Sequence, residues 1–287
     1  MTRQGLFIGV VTLDLIYLSE HFPEQNQKMV ASDCVIAAGG PATNASVTFS
    51  HLGNQASLLG VVGNHPTSHL IRADLEQYGI SIRDLDANRL ESPPVSSIII
   101  TRATGDRAVM SINATHLQAS VEQLPAEILA GVEIVLIDGH QMAVSEAIAQ
   151  QAQAQNIPVA IDGGSWKPGF EKVLPFVDYA IASANFYPPD CHSQEDVFTY
   201  LSSAGITHIA ITQGEKTIPY RSHGKAGQLE APQVEAIDTS GAGDIFHGAF
   251  CHYILRQNFP DALASATQIA SRSCQFFGSR RWMSESD

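Results

Sequence analysis

The chain reads as an α/β protein: a mainly parallel sheet flanked by helices, with a small antiparallel β lid standing off it. Three observations predict this. Short β-rich apolar runs alternate with helical patterns, the arrangement that gives a parallel sheet with helices on both faces. Residues 95–112 break the alternation with two β-prone runs about a turn and no crossover helix. The 287 residues, 44% hydrophobic and 16% charged, can bury a sizeable core without metals or disulfide staples.

Val132 to Ile137 is an apolar strand interrupted only by Glu133; the helical stretch Val144 to Gln155 and a second strand, Pro158 to Ile161, complete one βαβ unit. Tyr179 to Ala182 and His208 to Thr212 read as two more strands, with a helix over Gln194 to Ala204 between them. Val95 to Arg102 and Arg107 to Ile112 flank the turn Ala103-Thr104-Gly105-Asp106 as a hairpin, which a strand around Lys28 to Ile36 would join. We therefore expect one domain over residues 1–287, its lid formed from about 25–37 and 91–114. Lid residues are apolar on both alternating faces, so one face needs a cover, and a homodimer through the lid would supply it. The apolar run Leu6 to Leu18 is interrupted by Asp14 and lacks a small-residue cleavage site, so it reads as a buried strand and not as a signal peptide. No other stretch approaches the ~20 apolar residues of a membrane span.

A formal net charge of -13 repels phosphate backbones and anionic lipid headgroups, which argues against nucleic acid and membrane partners. Any nucleotide site on such a chain must draw local positive potential from helix ends, backbone N–H groups or a metal ion. Cys34, Cys191, Cys251 and Cys274 are widely spread and form no CxxC pair, which fits reduced thiols in a cytoplasmic protein.

The stretch Asp238-Thr239-Ser240-Gly241-Ala242-Gly243-Asp244 meets that requirement. Ile245, Phe246, Ala249, Phe250, Tyr253 and Ile254 recur at helical spacing after it, so a helix begins near Ala242 with the glycines at its N-terminus. Gly241 and Gly243 let the backbone turn sharply and bring the N–H groups of Gly241, Ala242 and Gly243 to an anion, while the helix dipole adds about half a positive charge. Asp244, beside a bound phosphate, can accept the proton of an attacking hydroxyl. A bare GxGD is more often a glycine-rich turn whose Asp caps a core helix. The full seven-residue string, however, resembles the C-terminal signature of the PfkB carbohydrate kinases, the family of ribokinase, fructokinase, ketohexokinase and adenosine kinase.

The resemblance implies a ribokinase-like fold and transfer of the γ-phosphate of ATP to a sugar hydroxyl, with Mg2+ and a monovalent cation such as K+ as accompanying ions. It runs from Phe7 to Gly278 and includes the family's N-terminal signature, here Ala38-Gly39-Gly40-Pro41-Ala42-Thr43-Asn44-Ala45. Physically, Gly39 and Gly40 permit close backbone approach to a ligand, and the Asn44 amide can donate to and accept from vicinal hydroxyls. Asp14, read at the end of the first strand, matches the family's sugar-binding Asp. Lys28 and Asn113, on lid segments, and His140, after a strand's C-terminal edge, are further candidates for the sugar pocket. On the nucleotide side, Thr212 and Gly214 match the family's Thr-x-Gly element, and Asn185 matches the first residue of its Asn-x-x-Glu element, which orients water around magnesium.

Two departures stand out: Pro188 occupies the place of that Glu, and Gly63-Asn64-His65 stands where Gly-Asp-Asp is common. Within the family the chain most resembles the ketohexokinase-like bacterial branch, which includes sulfofructose kinase, on Asp14-Leu15-Ile16-Tyr17 and on residues 243–250. His140 stands where branch members often carry Arg, which argues against an anionic substituent on the substrate. A ketose is the sugar this implies; a nucleoside kinase, or a non-catalytic sugar or nucleotide sensor on the same fold, is the alternative. A nicotinamide dehydrogenase and a P-loop kinase are unsupported, since neither GxGxxG after the first strand nor GxxxxGK[ST] occurs.

Overall fold

The computed structural model describes residues 2–112, 114 and 117–284. The first half of the chain forms β1 (Gln4–Ile8), β2 (Thr12–Ser19), β3 (Asp33–Gly39), α1 (Pro41–His51), β4 (Gln55–Gly60), α2 (Ser68–Gln77), β5 (Ser81–Asp84), β6 (Val95–Thr101) and β7 (Arg107–Ser111). The second half forms β8 (Ile134–Ile137), α3 (Met142–Ala154), β9 (Val159–Gly163), α4 (Phe170–Val173), β10 (Tyr179–Ser183), α5 (Gln194–Ser203) and β11 (His208–Thr212). It ends with β12 (Ile218–Ser222), β13 (Lys225–Leu229), α6 (Ala242–Ile254) and α7 (Phe259–Ser273).

Among the described residues, nine strands make one sheet in the order β13-β12-β11-β10-β9-β8-β1-β4-β5. It is parallel from β11 to β5, and the β12–β13 hairpin extends it antiparallel at one edge. Alternate side chains of each strand feed opposite faces. Leu6, Ile8, Val135, Ile137, Val159 and Ile161 pack with Val144 and Ile148 of α3, Phe170 of α4 and Leu201 of α5. Phe7, Leu58, Leu136 and Ile181 pack on the other face with Ala45 and Phe49 of α1, Leu75 of α2, Phe250 of α6 and Leu263 of α7.

The lid is a four-stranded sheet, β3-β2-β6-β7. It differs from the sequence expectation in three ways. The Leu6 to Leu18 run is not one strand: β1 ends at Ile8, and β2 belongs to the lid. The break falls at Gly9 because the chain crosses there over the Asp138 carboxylate, where a Cβ at residue 9 would lie 2.0 Å from Asp138 Oδ2. Asp14 therefore sits within β2 and not at the end of the first strand. The third strand starts at Asp33, leaving Lys28 exposed in the β2–β3 loop. Finally, β2 pairs parallel with β6, so the lid is mixed, although β2–β3 and β6–β7 are antiparallel. Beneath it Ile16, Leu18, Ile98 and Ile100 close on Phe277, which follows α7.

Candidate active site

The turn into α6 is built from both ends of the chain. Asp238 is buried, and its carboxylate accepts from Ser240 N (2.8 Å) and from Gly278 N (2.8 Å), clamping the loop ahead of the helix. Gly241 caps α6 at φ 74°, a left-handed conformation that side chains resist. The N–H groups of the first turn have no intrahelical acceptor. A Cβ at Gly243 would meet nothing within 4 Å, so the space over this helix end is open.

Asp244, partly accessible in that first turn, accepts a hydrogen bond from Asn44 Nδ2 at 2.7 Å, across 200 residues of sequence. The other end of the Asn44 amide is also committed, because Oδ1 accepts from Arg280 Nη1 at 2.8 Å. Asn44 thus links the acid of α6 to Arg280 through the two ends of its amide. Asp14 is close by: Thr12 Oγ1 donates to its Oδ1 at 2.7 Å, and Gly39 leaves it room, since a Cβ there would lie 2.0 Å from Asp14 Oδ2. Gly40, at φ 102°, backs onto the Val10 carbonyl oxygen, which a Cβ would approach to 2.2 Å. Burial pushes the carboxyls of Asp14 and Asp74 up, partly countered by Arg280.

A second group of charges lies at the C-terminal ends of the strands. Asp138, after β8, accepts from Val10 N (3.1 Å), Ala42 N (3.2 Å) and His140 N (2.9 Å), with His140 Nδ1 at 2.9 Å. Burial alone would raise its carboxyl, but His140, Lys167 and these bonds outweigh it and hold Asp138 low. Asp162, on β9, is raised by burial, countered in part by His247, whose Nδ1 lies 3.4 Å away. His247 Nδ1 also lies 2.7 Å from Gly243 O, and Nε2 lies 3.2 Å from Ile181 O, so the ring ties α6 to β10. Burial, then the nearby charge of Asp162, pushes Asp244 up to about 7. A carboxyl poised there can act as a base near neutral pH.

On the other side of the helix end, Thr212 finishes β11 and donates through Oγ1 to Ala182 O at 3.3 Å. Gly214 is exposed at φ 65°, with open space where a Cβ would stand. Asn185 is exposed after β10, held by Ser183 Oγ on its backbone N–H, and Pro188 is buried. His140 is half-buried, with Nδ1 on the Asp138 carboxylate, whereas Lys28 is exposed in the β2–β3 loop. Asn113 falls outside the described residues. Among the described residues no cluster of three or more His, Cys, Asp or Glu side chains is arranged to hold a metal.

The sequence reading missed Arg280, Asp74, Asp138, Asp162 and His247. Asp138 and Asp162 carried a signal, each being a carboxylate closing an apolar strand. Arg280 carried none, since nothing in Gly278-Ser279-Arg280-Arg281 says which arginine is buried.

A mainly parallel sheet with a small β lid, and a raised carboxyl in the first turn of a helix whose N-terminus is open, fit a small-molecule phosphotransferase with an alcohol acceptor. The family follows from comparison: the model of the pfkB family carbohydrate kinases matches residues 4–285, and the chain belongs to that family. It is 22% identical to a ribokinase of Bacillus subtilis (98% of this chain, 96% of the relative). It is 21% identical to a ketohexokinase of Mus musculus (96% and 97%). An Escherichia coli protein described as a ribokinase II, in complex with ATP and Mg2+, shares the fold with a TM-score of 0.81 at 18% identity, covering 99% of this chain and 96% of that one.

Proposed function

We propose that the chain transfers the γ-phosphate of ATP to a hydroxyl of a small sugar, a ketose, with Asp244 as general base. The observation that carries this is Asp244 itself: a partly accessible carboxyl pushed up to about 7, oriented by Asn44, in the first turn of a helix whose N-terminus opens onto free space. When bound, ATP would supply the phosphoryl group and Mg2+ would offset its charge. The N–H groups of Gly241, Ala242 and Gly243 face the phosphoryl oxygens. Asp244 takes the proton of the attacking hydroxyl. Asp14 accepts from neighbouring sugar hydroxyls, with Gly39 and Gly40 keeping the backbone close.

With no protein cage of three acidic or imidazole ligands among the described residues, Mg2+ would keep its ligands from phosphate and water, as is usual for this ion at nucleotide sites. Thr212 and Gly214 would line the nucleotide and Asn185 the water around the metal. Chelation should therefore abolish turnover, and replacing K+ by a bulky ammonium ion should lower it. The ketose assignment draws on the resemblance of Asp14-Leu15-Ile16-Tyr17 and residues 243–250 to the ketohexokinase-like branch.

A cytoplasmic setting belongs to the same proposal, with support from four free cysteines. No described helix is long and apolar enough to cross a membrane. A homodimer through the lid belongs to it as well, supported by the exposed apolar residues Ile36, Val109, Met110 and Ile112.

One observation favours a sugar or nucleotide sensor instead: Pro188 in place of the family's Glu removes a carboxylate from the metal's surroundings. Assay of ATP with ketoses, aldoses and nucleosides decides between them. Phosphorylated ketose supports the proposal, a phosphorylated nucleoside moves the substrate class, and no product across the panel favours the sensor.

A further inference from the structure

The segment after α7 runs between the lid and the catalytic crevice. Phe277 is buried against lid residues Ile16, Leu18, Ile98 and Ile100. Gly278 N donates to Asp238, which shapes the loop before α6. Arg281 pairs with Asp33 at the start of lid strand β3, at 2.6 Å. Between them Arg280 is 8% exposed, with its guanidinium over the Tyr78 ring, 5.5 Å from the centroid.

A buried guanidinium needs its charge matched and most of its donors satisfied; in Arg280 the two terminal nitrogens are paired and Nε is not. Nη2 donates to Ala38 O at 2.8 Å and lies 3.8 Å from Asp74 Oδ2, which in turn accepts from Ala38 N at 2.9 Å. Nη1 donates to Asn44 Oδ1 at 2.8 Å and to Ser279 Oγ at 3.1 Å. An amide oxygen only accepts and an amide nitrogen only donates. With Arg280 at one end and the Asp244 carboxylate at the other, the reversed Asn44 amide would set donor against donor and acceptor against acceptor. Arg280 thereby decides which way Asn44 faces, and the 2.7 Å bond from Nδ2 to Asp244 Oδ2 follows.

We infer that Arg280 is a positioning residue for phosphoryl transfer: by fixing the Asn44 amide it holds Asp244 Oδ2 and turns Oδ1 toward the substrate hydroxyl. The inference rests on the kinase reading for its consequence in turnover, but the Arg280–Asn44–Asp244 linkage can be tested without it. Asp138, Asp162 and His247 also act on the Asp244 carboxyl and stay constant in the comparison, whereas the Arg280 charge acts on it directly too, an effect that Arg280→Lys preserves.

The experiment is a double-mutant cycle of Arg280→Met and Asn44→Ala, with Arg280→Lys as the conservative variant. It is read in two ways: by kcat and KM with the sugar found in the substrate panel, and by 13C NMR titration of the Asp244 carboxyl, assigned with Asp244→Asn. We expect each single variant to lower kcat by about 10- to 100-fold, KM for ATP to stay within about twofold, and the double variant to be no worse than the poorer single. The Asp244 midpoint should rise in both singles and no further in the double, while Arg280→Lys recovers part of each effect.

Multiplying losses, or a wild-type Asp244 midpoint in Arg280→Met, would overturn the inference. If Arg280→Met does not fold, Arg280→Lys takes its place in the cycle: its effects on kcat and on the midpoint should vanish in the Asn44→Ala background, and effects that persist there count against the linkage. Absence of turnover from the wild-type chain would fall on the kinase reading, and the titration would still decide the linkage.

Discussion

Gly248 of α6 meets the backbone of α1 at Ala45: a Cβ built at Gly248 would lie 2.3 Å from the Ala45 carbonyl oxygen and 2.7 Å from Thr48 Cβ. The two helices therefore touch backbone to backbone, one turn beyond Asp244 and one residue beyond Asn44. The contact sets the distance across which Asn44 and Asp244 bond. Gly248→Ala should force the helices apart, destabilising the protein by about 1–3 kcal/mol and lowering Tm by about 2–4 °C per kcal/mol. Calorimetry reads that loss. Turnover measured well below Tm should fall as well, because the Asn44–Asp244 bond lengthens, and unchanged kcat in a destabilised variant would show that the contact serves packing alone.

Asp244→Asn keeps the shape of the side chain and removes the base. Turnover should drop by about 10^2- to 10^4-fold, the range for loss of a positioned general base, while ATP binding by calorimetry is kept. Retained turnover would remove Asp244 from the proposed chemistry.

The raised carboxyl of Asp244 gives opposite signs for activity and stability. As a base it works ionised, so kcat should climb with pH through about 7. In the unfolded chain the same carboxyl titrates near 3.8, so the folded state binds its proton more tightly. Its contribution to stability is then fully present below the unfolded value and is lost as pH rises through about 7. Tm should therefore fall between pH 5 and pH 8 in the wild type, and less in Asp244→Asn. Equal slopes in the two proteins would place the pH dependence elsewhere.

What could be read from the residues follows how local each signal is. The strand His208–Thr212 was legible in full because its apolar run is bounded by turn residues, and the start of α6 at Ala242 because its glycines and its helical periodicity meet there. The break between β1 and β2 was not, since only the Asp138 carboxylate, far along the chain, makes residue 9 a crossing point. In the site, Asp244 and Asn44 were visible as motif residues, yet their mutual bond was not. Arg280 was invisible for a related reason: a buried charge is identified by its partners, here Asn44 and Ala38, more than 200 residues away.

Gly39 separates the lid from its own carboxylate. It pairs with Thr12 across β2–β3, and a Cβ there would lie 2.0 Å from Asp14 Oδ2. Gly39→Ala should rotate Asp14 out of the pocket, raising KM for the sugar by about tenfold or more while leaving KM for ATP near its wild-type value. Parallel rises in both constants would point to a general disturbance of the lid.

The outer lid tests the proposed dimer. The β7 strand is an exposed edge, and Met110 and Ile112 are 78% and 74% exposed beside Val109, while Ile36 is exposed on the strand at the opposite edge. An unpaired edge carrying apolar side chains favours pairing with another chain, and a stable interface needs about 800 Å2 from each partner. Light scattering at micromolar concentration should give twice the mass of one chain, and Met110→Lys with Ile112→Lys should return the mass to that of the monomer. These positions lie outside the Asp14–Asn44–Asp244 network, so kcat for the double-lysine variant shows whether the crevice depends on the dimer. A wild-type chain that is monomeric at that concentration would refute the lid dimer.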